Sequence, residues 1–264
     1  MLEVNNLSFS YGAGNVLDDV SFHVRHGELC ALFGPNGCGK TTLFKCCLRF
    51  LAFHQGTVFL NRRDVKSMRV EEMAMHVAYV PQQHLPPFPY LVKEIVLMGR
   101  TPHLSGVFGV GLKDKQKAFD ALYRLKIDHL ADRPYNQLSS GQRQLVLIAR
   151  AIAQETRLVF LDEPTSALDF SNQVRIWRVM RALAQSGTTM LVCTHDPNHV
   201  AWFCDRAVVM GGGHVVVEGD PMQVMTHTLL DTIYGEICNV GRTGDVKLVL
   251  PREVAQRSAL DLEN

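Results

Sequence analysis

Residues 34–41, GPNGCGKT, decide the fold of this chain, and the apolar run Leu29–Phe33 comes directly before them. The spacing is that of a phosphate-binding loop, Gly-x-x-x-x-Gly-Lys-Ser/Thr, which joins a buried strand to the N-terminus of a helix. Glycines let backbone N–H groups surround a phosphate, and the helix dipole favours the same anion. The loop therefore predicts a nucleoside triphosphate site, with Lys40 on the β and γ phosphates and Thr41 on Mg²⁺.

A second motif carries the acidic residues that accompany a phosphate-binding loop. Residues 158–163, LVFLDE, read as an apolar strand that ends in two carboxylates. Asp162 is predicted to hold Mg²⁺ directly or through water, and Glu163 to orient or deprotonate the attacking water. The competing interpretation is a strand that runs into an exposed turn, and the phosphate-binding loop upstream disfavours it.

Composition limits the classes of function. Lys and Arg total 27 and Asp and Glu total 26, so the chain offers no broad basic field and nucleic-acid binding is not expected. No apolar stretch approaches the roughly 20 residues that cross a bilayer. The first residues, MLEVNNLSFSYG, alternate in polarity instead of resembling a secretory signal, which predicts a cytosolic location. The seven cysteines suggest neither a disulfide nor a zinc site, and Cys46 and Cys47 are expected to pack in the core.

The periodicity of apolar residues predicts an α/β chain that is interrupted by a mostly helical insert. Strands are predicted at residues 2–8, 20–24, 29–33, 57–60, 76–80, 158–161, 188–193, 206–210 and 214–218, the first two joined by a Gly12–Gly14 turn as an antiparallel hairpin. Helices are predicted at residues 40–51, 70–75, 91–100, 113–125, 141–154, 172–185, 197–203 and 222–234, followed by a weak hairpin around 241–244. Residues 1–84 and 156–264 are expected to form the nucleotide-binding core, and 85–155 a mostly helical insert.

The helix that follows residues 138–142, LSSGQ, carries a third motif. Ser139 or Ser140 is its expected N-cap, which again makes a helix terminus suited to an anion. The order LSSGQRQLVLIARAI, then LVFLDEPTSALD, then His195 after a strand resembles the ATP-binding subunit of ABC transporters over nearly the whole chain. That resemblance implies an ATP hydrolase with a P-loop core of mostly parallel sheet, an N-terminal antiparallel subdomain and a helical subdomain that carries the LSSGQ signature.

The resemblance also implies roles for individual residues. Tyr11 would stack on adenine, Gln82 would contact Mg²⁺ and the attacking water, and His195 would lie near the γ-phosphate. Asp162 and Glu163 would form the Walker B pair, and residues 166–169, with Asp169, the D-loop. The implied ATP-binding residues of the Walker A loop and the signature are Gly34, Pro35, Asn36, Gly37, Cys38, Gly39, Lys40, Thr41, Thr42, Ser139, Ser140, Gly141 and Gln142.

In this family two copies pack head to tail, each signature completing the other copy's site, so the resemblance implies a homodimer at the cytoplasmic face of the membrane. EIVLMGRTPHL at residues 94–104 is similar to ATPases of importers for vitamin B12, iron-siderophores, haem and molybdate. Such importers add two transmembrane permease subunits and a substrate-binding protein. An exporter subunit or a soluble non-transport ATPase remains the alternative, although exporters usually fuse membrane helices to the ATPase and soluble members usually carry two cassettes.

Two residues depart from the usual pattern of the family, and one segment is predicted to be a docking surface. Ser140 stands where the family usually has Gly, and Cys38 stands where Ser is more common, with a helix N-terminus that would lower its thiol pKa. The segment from Leu85 to Val92 is rich in proline and large apolar groups, and it is interpreted as a docking surface for a membrane subunit, with packing inside the helical insert as the alternative. Phe88 and Leu91 are its candidate contacts.

Overall fold

The first part of the chain forms an antiparallel sheet. The computed structural model describes residues 1–12, 14–82, 88–104 and 109–255. In it β1 (Leu2–Phe9) pairs antiparallel with β2 (Leu17–Val24), which confirms the predicted hairpin. Two later strands, β4 (Gln55–Leu60) and β5 (Arg63–Asp64), extend this sheet in the order β2-β1-β4-β5. Ala13, at the centre of the predicted turn, lies outside the described residues.

A second, mostly parallel sheet lies at the centre of the nucleotide-binding core. Its strand order is β10-β9-β3-β8-β7-β6, and only β10 is antiparallel to its neighbour. The phosphate-loop strand β3 therefore lies between two strands from the second half of the chain. The strands are β3 (Leu29–Phe33), β6 (Val77–Val80), β7 (Leu158–Asp162), β8 (Thr189–Thr194), β9 (Arg206–Gly211) and β10 (His214–Gly219). The predicted α/β class with a mostly parallel sheet is confirmed.

Helices cover both faces of this sheet, as parallel strands require. Strands β3, β7 and β8 are buried along their whole length, which explains why they read as continuous apolar runs. Cys46 and Cys47 pack in the core as expected, with Phe44 meeting Phe160 edge to face. The covering helices are α1 (Lys40–Cys47), α2 (Val70–His76), α6 (Phe170–Gln185) and α7 (Pro197–Phe203).

Between β6 and β7 the described residues are mostly helical. Helices α3 (Val92–Leu97), α4 (Leu112–Arg124) and α5 (Ser140–Ala153) pack against one another, joined by 3-10 turns at Met98–His103, Asp128–Leu130 and Tyr135–Gln137. Their buried Leu, Ile and Ala side chains join one apolar cluster with β6 and β7. Within the described ranges, no helix is long and apolar enough to cross a bilayer.

The chain ends in a small unit that packs back onto the core. It comprises α8 (Pro221–Val224), α9 (His227–Tyr234) and a hairpin of β11 (Cys238–Thr243) and β12 (Val246–Pro251). Leu230 and Val249 lie in one buried cluster with Phe33 of β3 and Val209 of β9. We name residues 226–251 the C-terminal extension.

Two helix predictions were wrong at their C-terminal ends, and a third predicted helix is interrupted in the middle. The helix predicted for 40–51 ends at Cys47, because Arg49 turns the chain with a left-handed φ of 58°. The helix predicted for 91–100 becomes 3-10 at Met98, in a stretch where Pro102 lacks a backbone donor. The helix predicted for 222–234 is two helices, because Thr226 accepts a hydrogen bond from Leu229 and starts a new one.

Candidate functional site

The phosphate-binding loop lies between β3 and α1, as its sequence predicted. Gly39 has a left-handed φ of 102°, and a Cβ there would lie 2.8 Å from the Leu17 side chain, so only glycine fits. Lys40 is 5% exposed, and its ammonium donates to the carbonyls of Gly34 (2.8 Å) and Pro35 (2.9 Å). The loop therefore holds a buried positive charge at the N-terminus of a helix, an arrangement that suits a polyphosphate.

Asp162 at the end of β7 faces this loop. Its Oδ1 accepts a hydrogen bond from the Thr41 hydroxyl at 3.2 Å, and its Oδ2 accepts one from the Tyr79 hydroxyl at 3.3 Å. Burial raises the pKa of the Asp162 carboxyl, and the two hydroxyl donors oppose that rise. A buried carboxylate beside a threonine hydroxyl is an oxygen donor set that suits Mg²⁺, whose charge would compensate the desolvation.

Glu163 is the centre of a three-residue cluster. Gln82 donates from its side-chain amide to Oε2 of Glu163 at 3.1 Å, and His195 Nδ1 lies 3.3 Å from Oε1. Glu163 has a left-handed φ of 46°, which turns the chain sharply after β7. Its backbone is fixed there because its N–H donates to Cys193 and its carbonyl accepts from the Ser166 hydroxyl. Three predicted residues from separate parts of the chain thus meet around one carboxylate.

Tyr11 reaches the same region from the antiparallel sheet. Its side chain is 62% exposed and packs edge to face on Phe9, with ring centroids 4.9 Å apart. Its hydroxyl lies 3.5 Å from that of Thr42 in α1. Tyr11 is therefore an exposed aromatic ring beside the first turn of the phosphate-loop helix.

The signature residues form the start of α5. Ser139 is the N-cap: its hydroxyl accepts from the Gln142 N–H at 3.3 Å, and Gln142 Oε1 accepts from the Ser139 N–H at 3.1 Å. This reciprocal pair is a capping box. Ser139 and Ser140 are exposed, whereas Gly141 is buried against the side chain of Asn172.

Asn172 connects the signature to the D-loop of the same chain. Asp169 caps α6 by accepting from the Asn172 backbone at 2.9 Å and from its side-chain amide at 2.7 Å. These hydrogen bonds, the backbone one first, lower the pKa of the Asp169 carboxyl. The D-loop acid and the signature therefore share one intermediary within the chain.

The structure does not bring every predicted residue together. Thr41 contacts Asp162, Glu163 contacts Gln82 and His195, and Tyr11 contacts Thr42. Among the described residues, no hydrogen bond joins the signature to the phosphate-binding loop. A cavity of about 250 Å³ lies between the start of the signature helix and Glu163, and Ser140, Gln82 and Glu163 all line it.

The Cys38 thiol does not have the lowered pKa that was expected from the helix N-terminus. Its side chain is buried, and burial raises the pKa of the thiol although the nearby Lys40 opposes that rise. The helix terminus was expected to lower this pKa, and desolvation outweighs it. Cys38 is therefore a packing residue within the loop.

Sequence reasoning missed two contacts near the carboxylates. Tyr79 belongs to the YVPQ stretch, and strand alternation places it opposite Phe160, two residues before Asp162. The hydroxyl group of Tyr79, on an otherwise apolar strand, was the feature of the sequence that could have indicated this contact. Tyr234 donates to the His195 carbonyl at 3.0 Å from the far end of the chain, and no local pattern indicates such a contact.

Comparisons with known proteins agree with this geometry. The family described as ABC transporter matches residues 17–166. The hemin import ATP-binding protein of Rhodococcus jostii is 37% identical over 258 residues, which cover 95% of this chain and 86% of that protein. The iron(3+)-hydroxamate import ATP-binding protein of Bacillus subtilis is 36% identical over 234 residues, or 88% of this chain and 87% of that protein.

Solved structures extend the likeness to the fold. A metal-chelate type ABC transporter in an inward-facing conformation contains a chain that matches with a TM-score of 0.83 and 32% identity, covering 97% of this chain and 98% of that one. A dimeric ATP-binding cassette bound to ADP and phosphate after hydrolysis matches with a TM-score of 0.72 and 25% identity, covering 84% and 99%.

Proposed function

Because this chain belongs to the ABC transporter family, we propose that it is the ATP-hydrolysing subunit of an importer for a metal chelate such as hemin or an iron-siderophore complex. The observation that carries the enzymatic part is the Glu163 carboxylate, held between Gln82 and His195 beside a phosphate-binding loop. The solute class rests on relatives that import hemin and iron(3+)-hydroxamate and on a metal-chelate type transporter with the same fold.

The phosphates of ATP would bind over the loop between β3 and α1. Lys40 would exchange its two carbonyl partners for phosphate oxygens, and its burial keeps that charge close to the anion. Thr41 and Asp162 would hold Mg²⁺, which supplies charge neutralisation of the phosphates when bound. Tyr11 would carry the adenine on its exposed ring.

Glu163 would accept a proton from the attacking water. Its two carboxylate oxygens are oriented by different partners, Gln82 on Oε2 and His195 on Oε1, so the group is fixed before the nucleotide arrives. His195, with 46% of its side chain exposed, would lie near the γ-phosphate. Gln82 also contacts the Ser166 hydroxyl at 3.3 Å, which ties it to the D-loop.

Two copies of the chain would form the working enzyme. Ser139 and Ser140 present their side chains to solvent at a helix N-terminus, and within the described part of one copy they make no hydrogen bond to the phosphate-binding loop. A second chain placed head to tail would bring this anion-binding terminus onto the other copy's ATP. The dimeric structure of a related cassette bound to ADP and phosphate supports a dimer.

The subdomains would move against each other during this cycle. We assign the core to residues 1–84 and 156–264 and the helical subdomain to 85–155, with Gln82 close to one junction. Binding of ATP by both copies would close the dimer and hydrolysis would reopen it, which transmits motion to membrane subunits at the cytoplasmic face.

Two transmembrane subunits would dock beside the helical subdomain. A substrate-binding protein would act with those subunits on the other side of the membrane. Phe88 is 63% exposed, whereas Leu91 is only partly exposed. Leu85, Pro86 and Pro87 of the predicted surface lie outside the described residues. A separate cleft of about 330 Å³, lined by Phe50 and Met98 among others, lies between the core and the 3-10 turn at Met98–His103 and would suit a short amphipathic helix.

Replacement of Lys40 with Ala tests the ATPase. Steady-state hydrolysis and the affinity for a fluorescent ATP analogue should both fall sharply, because the phosphates lose their buried cation. Lys45→Ala, at the other end of α1, is the matched control and should behave like wild type. Wild-type turnover in the Lys40 variant would refute the ATPase assignment.

The solute class needs a separate experiment. Proteoliposomes that contain this subunit with its membrane partners and binding protein should accumulate hemin or a ferric hydroxamate when MgATP is enclosed, and the Lys40→Ala complex should not. Equal uptake by the wild-type and variant complexes would refute the importer proposal, and ATP-dependent transport of neither chelate would refute the solute class.

A further inference from the structure

The C-terminal extension is fastened to α7 by specific hydrogen bonds. Asn198 makes two of them with Val249 of β12: its Nδ2 donates to the Val249 carbonyl at 3.1 Å, and its Oδ1 accepts from the Val249 N–H at 2.8 Å. The Trp202 indole donates to the Lys247 carbonyl at 2.9 Å. An asparagine that pairs with both backbone groups of one residue acts like a neighbouring strand, so Asn198 fastens β12 to α7.

Helix α7 begins immediately after His195. Asp196 is its N-cap and accepts from the N–H groups of Asn198 (2.8 Å) and His199 (3.2 Å). The backbone of His195 is therefore continuous with a capped helix that the extension holds. Any displacement of α7 would move the His195 side chain with it.

The extension also reaches His195 directly. The hydroxyl of Tyr234, the last residue of α9, donates to the His195 carbonyl at 3.0 Å. The Tyr234 ring packs on Phe33, with centroids 6.0 Å apart, and Phe33 is the last residue before the phosphate-binding loop. Burial raises the pKa of Tyr234, so the hydroxyl remains a donor at neutral pH.

His195 needs such support. Its side chain is 46% exposed. Among the described residues, the imidazole makes one hydrogen bond, to Glu163 at 3.3 Å. An exposed side chain with one long bond takes its orientation mainly from its backbone. That backbone is held at its carbonyl by Tyr234 and on its C-terminal side by the α7 cap.

We infer that the C-terminal extension positions His195 for hydrolysis and that Tyr234 is the positioning residue through which it acts. This inference rests on the proposed ATPase function. It gives residues 226–251 a part in the chemistry: they set how well the His195 imidazole stays beside Glu163. Tyr234 acts on the site only through His195, so its effect should appear in the rate of ATP turnover and not in nucleotide binding.

Tyr234→Phe is the direct test in the full-length chain. It removes only the hydroxyl and keeps the ring against Phe33. One lost neutral hydrogen bond should lower kcat by about threefold to tenfold, while KM for ATP and the affinity for a fluorescent ATP analogue stay at the wild-type values. Tyr123→Phe, at an exposed tyrosine of α4, is the matched control and should leave kcat unchanged.

A double-mutant comparison separates positioning from general stability. In a His195→Ala background, Tyr234→Phe should cause no further loss of turnover, because the group it positions is absent. An equal loss in both backgrounds would show that Tyr234 acts through the fold, and an unchanged kcat in the single variant would show that it has no role. Either result overturns the inference.

Asn198→Ala provides a second, independent variant. It removes both hydrogen bonds to Val249, so kcat should fall while nucleotide affinity is kept. Emission of Trp202, which contacts the hairpin, reports whether the extension stays docked. If Lys40→Ala hydrolyses ATP like wild type, the proposed ATPase itself fails. If Lys40→Ala is inactive but Tyr234→Phe and Asn198→Ala are normal, only the present inference fails.

Discussion

Replacement of Gly141 with Ala separates activity from stability at the signature helix. A Cβ at this position would lie 2.6 Å from both Cγ and Oδ1 of Asn172. Ordinary contacts begin near 3.4 Å, so the two groups must separate by about 0.8 Å (3.4 minus 2.6). Asn172 cannot swing away freely, because Asp169 holds its side-chain amide at 2.7 Å. The start of α5 is therefore the part that moves.

The free energy of unfolding should change little. Ala is favoured over Gly in a helix by up to about 1 kcal/mol, which offsets the strain of the overlap. We expect the variant to unfold within about 1 kcal/mol of wild type in a denaturant titration.

Hydrolysis should fall far more. A displacement close to 1 Å in a group that orients a reacting phosphate costs on the order of 100-fold, equivalent to about 2.7 kcal/mol in the barrier. Steady-state phosphate release measures this loss. Gly241→Ala, in a strand where an added Cβ meets nothing within 4 Å, is the matched control and should retain wild-type turnover.

A suppressor variant tests the cause. Asn172→Ala removes the clashing atoms but keeps the backbone cap, so Gly141→Ala combined with Asn172→Ala should hydrolyse ATP within about tenfold of Asn172→Ala alone. Failure to recover would mean that the added methyl obstructs something other than Asn172. A folded Gly141→Ala protein with turnover within about threefold of wild type would refute the reasoning altogether.

Four other variants and reagents give separate checks. Glu163→Gln should bind MgATP, hydrolyse it slowly and accumulate as a closed dimer in size measurements; a variant that stays monomeric, or turns over normally, argues against Glu163 as the base. Ser140→Gly should change the ATPase rate by less than about tenfold, roughly 1.4 kcal/mol, and a greater loss would make its hydroxyl a ligand. Cys38 should react slowly with iodoacetamide at pH 8, because its raised pKa keeps the thiol protonated, and reactivity should increase as pH rises; fast labelling would contradict its burial. Phe88→Glu should weaken co-purification with a membrane subunit without loss of folding or nucleotide binding, whereas unfolding or normal assembly would place the docking surface elsewhere.

The local parts of this fold could be predicted from its sequence. Strand β3 and helix α7 have the predicted bounds, because a continuous apolar run and an Asp-Pro start are each strong local signals. The N-cap of α5 was predicted as Ser139 or Ser140, and the contacts with Gln142 identify it as Ser139. Motif order supplied the predicted site residues.

Other features depend on contacts between distant residues. The break between α8 and α9 follows from a cap at Thr226 that competes with helical periodicity. The raised pKa of the Cys38 thiol follows from burial, which a motif does not report. The bond from Tyr234 to His195 spans 39 residues and depends on where the C-terminal extension packs. Periodicity describes one element at a time and cannot express such relations.

The position of β3 in the sheet also governs how the chain folds as it is made. Its five buried residues pair with β8 and β9, which begin more than 150 residues later. At about 5–20 residues per second, a ribosome needs on the order of 10–30 seconds to deliver those partners. During that interval the strand that precedes the phosphate-binding loop is an unpaired apolar segment, while β1, β2 and β4 are already available to pair. Yield of correctly folded protein should therefore depend on translation speed and on chaperones that cover this segment.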